Sequence, residues 1–373
     1  MDTNAHAMLP GASHDEAAEQ LFIRDLKVWL TDEVEPEQKA RALALDPGPG
    51  SNARVETLYE RLHEDEAFRA WAGLRRTTQE MMWTAVAESV ARQAEELEAK
   101  AAEAPALGSL TLDPAFVVPE YLADRDVHLM PGGYAHEDGG LLQGAVMDRG
   151  GAVYMLGRNG GLMNDVRGHT LVSHLYARFP DFAPERILEL GCGIGASMVP
   201  VAQAFVHAEV HGIDVGASML RYALARARHL GVAVHLRLGD AESAPYPDES
   251  FDLVFSCVLL HETRPEALSR IMAESYRLLK PGGVVAHLEV PMRYESMDLW
   301  GKIRGEIEYD YNNEPNWKAA ISADYAAELG AAGFRDVATG YQAATPNAVK
   351  GAGGFSDTSQ GVFRSWFVAS ARK

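Results

Sequence analysis

The sequence predicts an α/β protein: a seven-stranded, mostly parallel sheet with an antiparallel last strand, preceded by an N-terminal helical domain. Three observations carry that prediction. From residue 165 onward, short apolar runs rich in β-branched residues alternate with helical stretches, as βαβ crossovers require. Between Glu16 and Glu103, apolar residues instead recur at helical spacing. The first strand of the alternating region then runs straight into Gly191-Cys192-Gly193-Ile194-Gly195-Ala196, a tight turn of the kind that brings backbone N–H groups against a ligand.

Taken in order, residues 1–14 carry no periodic apolar pattern and read as a disordered tail. Residues 15–105 form the helical domain. Leu21, Phe22, Leu26, Trp29 and Leu30 share one helical face, DPGPG at 46–50 interrupts, and amphipathic stretches follow at 53–73 and 75–104. Over 106–164 helical periodicity gives way to glycine clusters, PGGYAHEDGG (131–140) and RGGAVYMLGRNGG (149–161), which read as a connector with lid loops. Residues 165–373 are the ligand-binding α/β domain, opened by a helix at 165–178. Its strands are expected at 186–191, 208–214, 232–239, 251–260, 283–290, 335–342 and 363–371. No helix separates the last two, so they are expected to pair antiparallel at an edge.

Composition narrows the ligand. A formal charge of −19 disfavours nucleic acid and anionic membranes as partners, because both would be repelled. No apolar stretch approaches the ~20 residues of a membrane helix. A small molecule is favoured. The opening MDTNAHAMLPGASHDEAAEQ carries acids where a signal peptide carries a basic segment, which points to a cytoplasmic chain. Cys192 and Cys257, each within an apolar segment, are expected as reduced, buried thiols.

Alone, the glycine loop fits two ligands. It satisfies the loose dinucleotide pattern G-x-G-x-x-G/A, with Asp214 lying 23 residues beyond Gly191 as a ribose-binding acid. Its surroundings separate the readings. Glu189 precedes the glycines, Gly239-Asp240-Ala241 closes the third strand, Phe251-Asp252 opens the fourth, and Leu278-Leu279-Lys280-Pro281-Gly282-Gly283 turns into the fifth. Over roughly residues 165–295 the chain thereby resembles the class I S-adenosylmethionine-dependent methyltransferases, especially the small-molecule, quinone-biosynthesis-like (methyltransferase type 11) group.

The resemblance implies a Rossmann-like fold and S-adenosylmethionine as cofactor. It implies cofactor contacts from Glu189, Gly191, Cys192, Gly193, Asp214, Val215, Met219, Gly239, Asp240, Ala241 and Ser256. Asp214 would accept from both ribose hydroxyls, Asp240 and Ala241 would meet the adenine amino group, and Met219 would pack on the ring. One departure is Gly216, where the family often has Ser two residues after the ribose acid.

Methyl transfer is an in-line displacement in which the protein orients the acceptor and handles its proton. His261, in VLLHETRPE at the end of the fourth strand, is the candidate general base, with Glu262 beside it. An imidazole of ordinary pKa about 6.5 suits that task. The resemblance to plant-type O-methyltransferases, which carry a catalytic histidine there, stops at His261 and the acid after it. Tyr154, Arg158, Tyr309, Tyr311, Asn312 and Trp317 are expected to shape the acceptor pocket, and Arg158 also suits the cofactor's carboxylate. No metal is expected: neither His128 with His136 and Asp138, nor His169 with His174, shows ligand spacing.

The expectation is therefore a small-molecule methyltransferase, with O-methylation slightly favoured over N-methylation on His261 alone. Two alternatives stay open: a cofactor-binding enzyme of this fold catalysing cyclisation or elimination, and a noncatalytic partner subunit. The helical domain would either cap the site or form a homodimer contact.

Overall fold

The structure is a computed structural model that describes residues 5–46, 53–123, 125–154, 158–290, 292–348, 354–361 and 363–373. Five helices open the chain: α1 (His14–Trp29), α2 (Glu35–Ala44), α3 (Ala53–Leu62), α4 (Glu66–Ala91) and α5 (Ala94–Glu103). Local chemistry sets their starts. Ser13 and Glu16 form a reciprocal capping box at α1, and Asp65 accepts from Ala67 N at 2.7 Å to begin α4.

The connector holds a short strand, β1 (Ser109–Thr111), and a helix, α6 (Leu142–Tyr154). That helix occupies part of the expected lid loop, and its glycines have a packing reason. A Cβ at Gly150 would lie 2.3 Å from the Trp83 ring of α4, so glycine lets the two helices approach. Then follow α7 (Val166–Arg178), β2 (Arg186–Leu190), α8 (Met198–Ala204), β3 (Glu209–Asp214), α9 (Ala217–His229), β4 (His235–Leu238), β5 (Phe251–Cys257), α10 (Pro265–Leu278) and β6 (Leu279–Glu289). The chain closes with α11 (Leu299–Tyr311), α12 (Trp317–Ser322), α13 (Tyr325–Ala331), β7 (Arg335–Ala343), β8 (Phe355–Ser356) and β9 (Ser365–Arg372).

The sheet runs β1-β4-β3-β2-β5-β6-β9-β7-β8, parallel through β6 and antiparallel beyond. Seven of these strands lie where the sequence predicts them. Among the described residues the count is nine, because β1 and β8, at three and two residues, are too short to carry a periodic signal. β9 sits between β6 and β7 rather than at the edge, so both its edges are hydrogen-bonded, and all of Ser365–Ala371 is buried. The order reverses at β2 and β5, where β2 lies between β3 and β5, and the glycine loop leaves β2 at that crevice.

The helical domain shares its core with the sheet domain. Leu58, Leu62, Phe68 and Trp71 pack with Trp300, Ile303 and Ile307 of α11, while Met82, Trp83 and Val86 pack with Met219 and Tyr222 of α9. A four-membered ion network adds a polar seam: Arg75 and Arg304 both reach Glu35 and Glu308, at 2.6 to 3.3 Å.

Residues 5–13, expected within a tail, are instead packed. Met8 is fully buried, and His6 Nε2 lies 2.8 Å from Asp148 Oδ2. Asp148 also accepts from the Tyr222 hydroxyl, and Arg226 beside it donates to the carbonyl of Gly195 in the glycine loop at 3.2 Å. Among the described residues no helix is long and apolar enough to cross a membrane.

Candidate active site

At the carboxyl ends of β2, β3, β4 and β5 lies a cavity of about 1080 Å³, walled by the glycine loop on one side and by α4, the connector and α11 on the other. It exceeds the 300–1,000 Å³ usual for one small ligand, so a cofactor and an acceptor can share it. Glu189, Gly191, Cys192, Gly193, Asp214, Val215, Met219, Gly239, Asp240 and Ala241 all line it. Ser256 does not: its hydroxyl faces into the sheet, 2.8 Å from His287 Nδ1.

On the cofactor side, the Asp214 carboxylate accepts from Gly193 N at 2.8 Å and Gly216 N at 2.9 Å, which holds the loop against the acid. Burial pushes the Asp214 carboxyl upward and these backbone N–H groups oppose that. Burial likewise raises Asp240, with the Glu242 N–H opposing. The departure at Gly216 has a steric cause, since a Cβ there would stand 2.3 Å from the Tyr134 carbonyl oxygen of the connector.

Two unsatisfied groups meet this end. Glu189 is buried with Oε2 unpartnered, and burial drives its carboxyl well above the ordinary range. Arg167 on α7 lines the cavity with its Nε buried and unpartnered. One carboxyl and one guanidinium fit the ammonium and carboxylate of an amino-acid moiety, and Asp214 and Asp240 fit a ribose and an adenine. The residues present therefore suit S-adenosylmethionine. Arg158, the residue expected at the carboxylate, is partly exposed and pairs with Asp32 at 2.8 Å.

At the other end of the cavity, His261 follows β5 in a 3₁₀ turn, Leu260–Glu262, and is 3% exposed. Its Nδ1 lies 2.7 Å from Glu289 Oε2 at the end of β6, leaving Nε2 3.3 Å from Glu262 Oε1. Burial alone would depress this imidazole, but the Glu289 and Glu262 carboxylates outweigh it and hold it well above its ordinary value. Trp317 stands edge-on to the His261 ring, with centroids 5.3 Å apart.

His128 completes the group. Its Nε2 is 2.8 Å from Glu262 Oε1, its Nδ1 contacts Glu314, and the Tyr134 hydroxyl donates to Glu262 Oε1 at 2.9 Å. His128 has φ 56° and ψ 21°, a left-handed conformation uncommon for histidine. Trp83 Nε1 and Gln79 Nε2 of α4 both donate to its carbonyl oxygen, at 2.8 and 3.1 Å, and hold it there.

Of the expected acceptor residues, Tyr154, Tyr311, Asn312 and Trp317 line the cavity, as does Arg158. Tyr309 does not: it is exposed on α11, with Lys318 over its ring. His128, Glu289 and Arg167 belong to the site without having been assigned to it from the sequence, and Glu314 joins them from the 289–317 segment expected to receive the acceptor. The three unassigned residues come from separate segments, and no spacing pattern joins them.

The family described as "Methyltransferase domain" matches residues 187–283. Phosphoethanolamine N-methyltransferase 1 of Arabidopsis thaliana is 39% identical over 103 residues, covering 27% of this chain and 20% of that protein. The malonyl-[acyl-carrier protein] O-methyltransferase of Methylococcus capsulatus is also 39% identical over 103 residues, covering 28% of this chain and 36% of its own length. These matches thus span about a fifth and about a third of the relatives concerned. A solved structure of Haemonchus contortus phosphoethanolamine N-methyltransferase 2 with S-adenosyl-L-methionine aligns at 22% identity and a TM-score of 0.38, covering 51% of this chain and 41% of that one. Residues 187–283, which carry the glycine loop and its two acids, therefore match a methyltransferase domain.

Proposed function

We propose that this protein transfers a methyl group from S-adenosylmethionine to a small-molecule acceptor, an oxygen nucleophile being favoured over nitrogen. One observation carries the reading: His261, backed by Glu289, and Glu262 line the same cavity as the glycine loop and Asp214. The cofactor supplies an electrophilic methyl group on a sulfonium. The chain's own residues do the rest. Asp214, Asp240, Glu189 and Arg167 fix the cofactor. His261 and Glu262 hold and orient the acceptor's nucleophile, and Tyr154, Asn312 and Trp317 enclose the acceptor and exclude water. A buried array of imidazoles and carboxylates suits an acceptor whose proton must leave, which supports oxygen.

His261→Ala is the test. Turnover with methyl-labelled cofactor should fall about 100-fold or more, while cofactor affinity by calorimetry stays within about twofold. Unchanged turnover would rule out the role given to His261. Label that never reaches product, from a protein that binds the cofactor, would favour a non-methylating reaction instead.

A further inference from the structure

We propose that His128, His261, Glu262 and Glu314 form a binding site for one first-row divalent transition cation, of the Zn²⁺, Co²⁺ or Mn²⁺ class, at the acceptor end of the cavity. Only the ion's role rests on the reading above; its binding does not. One ligand atom from each of the four residues lies within 4.8 Å of all the others. His128 Nε2 and His261 Nε2 stand 2.8 and 3.3 Å from the same Glu262 oxygen. Ligands about 2.1 Å from a common ion are about 3 to 4.2 Å apart, so the closest pair must open slightly and the widest must close by well under about 1 Å.

A second observation points to a ligand independently. Glu314 is 2% exposed, and its Oε2 has no hydrogen-bond partner. An unpartnered carboxylate oxygen is costly to bury, and a cation removes that cost. The surroundings also orient the ligands. Glu289 engages His261 Nδ1 at 2.7 Å, which directs the Nε2 lone pair into the cavity, and the Tyr134 hydroxyl fixes Glu262. This is the carboxylate–histidine arrangement that supports metal ligands. Two imidazole nitrogens with two carboxylates favour a transition cation over Mg²⁺ or Ca²⁺, which prefer all-oxygen sets. The ion would hold the acceptor's oxygen or nitrogen, and His261 becomes a ligand rather than a base. This reverses the metal-free expectation. Residues 128, 261–262 and 314 are far apart in sequence, so no spacing reveals them.

The test uses the full chain stripped with EDTA and dialysed. Zn²⁺ is titrated by calorimetry, and Co²⁺ by its visible absorption bands. One ion per chain is expected, and Glu314→Gln and His128→Gln should each weaken binding by about 10-fold or more. Circular dichroism checks that both variants fold. Failure of the wild-type protein to bind an equivalent of either ion overturns the proposal, as does an affinity that neither variant changes. Cofactor affinity and methyl transfer are read separately. Ion binding without methyl transfer would support the site and count against the methyltransferase reading; methyl transfer without ion binding would do the reverse.

Discussion

At the scale of single residues, the acids at strand ends were the most legible part of the site. Asp214 and Asp240 each close a strand where a bare carboxylate is costly unless it is used, and both line the cavity. His128 was not legible. Its place depends on a left-handed turn held by Trp83 and Gln79, more than 40 residues away, and no local pattern encodes such a contact. The same holds for arginine choice: Arg158 had suitable chemistry, but Asp32 claims it, while Arg167 lines the cavity wall with its Nε unpartnered. Two outcomes follow. Asp214→Ala should weaken cofactor binding about 10- to 150-fold, the equivalent of losing a hydrogen bond to a charged group. Arg167→Met should weaken it comparably and Arg158→Met should leave it nearly unchanged, both read by calorimetry with S-adenosylmethionine.

At the scale of elements, periodicity located the seven longer strands, because apolar runs of four or more residues leave a signal. It misread α6, where glycines that admit the Trp83 ring look like loop residues. It also could not foresee that α11 would be shared. Trp300 on α11 packs 5.8 Å from the Trp71 ring and donates to Glu35 Oε1 at 3.0 Å, so one side chain joins the helical domain to the acceptor wall. Trp300→Ala should cost about 3–5 kcal/mol in chemical denaturation. It should also raise the acceptor KM more than the cofactor Kd, since α11 walls the acceptor side.

At the scale of the whole molecule, two buried histidines should each draw stability down in mild acid. Burial pushes His174 and His287 down to about 4, and both sit inside the sheet domain. Above about 6.5 neither the folded nor the unfolded chain protonates them; between about 6.5 and 4 the unfolded chain binds protons that the folded chain refuses. Each site therefore withdraws stability as pH falls through that window, by up to about 3 kcal/mol. Denaturation midpoints measured from pH 7 to 4.5 should show His287→Asn losing less stability than the unaltered protein.

The buried contact between His6 and Asp148 gives the first residues of the chain a mechanical link to the cofactor. Through Arg226 it reaches the Gly195 carbonyl, so the N-terminal segment braces the glycine loop from behind. An affinity tag or a trimmed N-terminus is then no neutral handle: preparations differing only there would report different cofactor affinities, and a C-terminal tag is the safer choice for binding measurements.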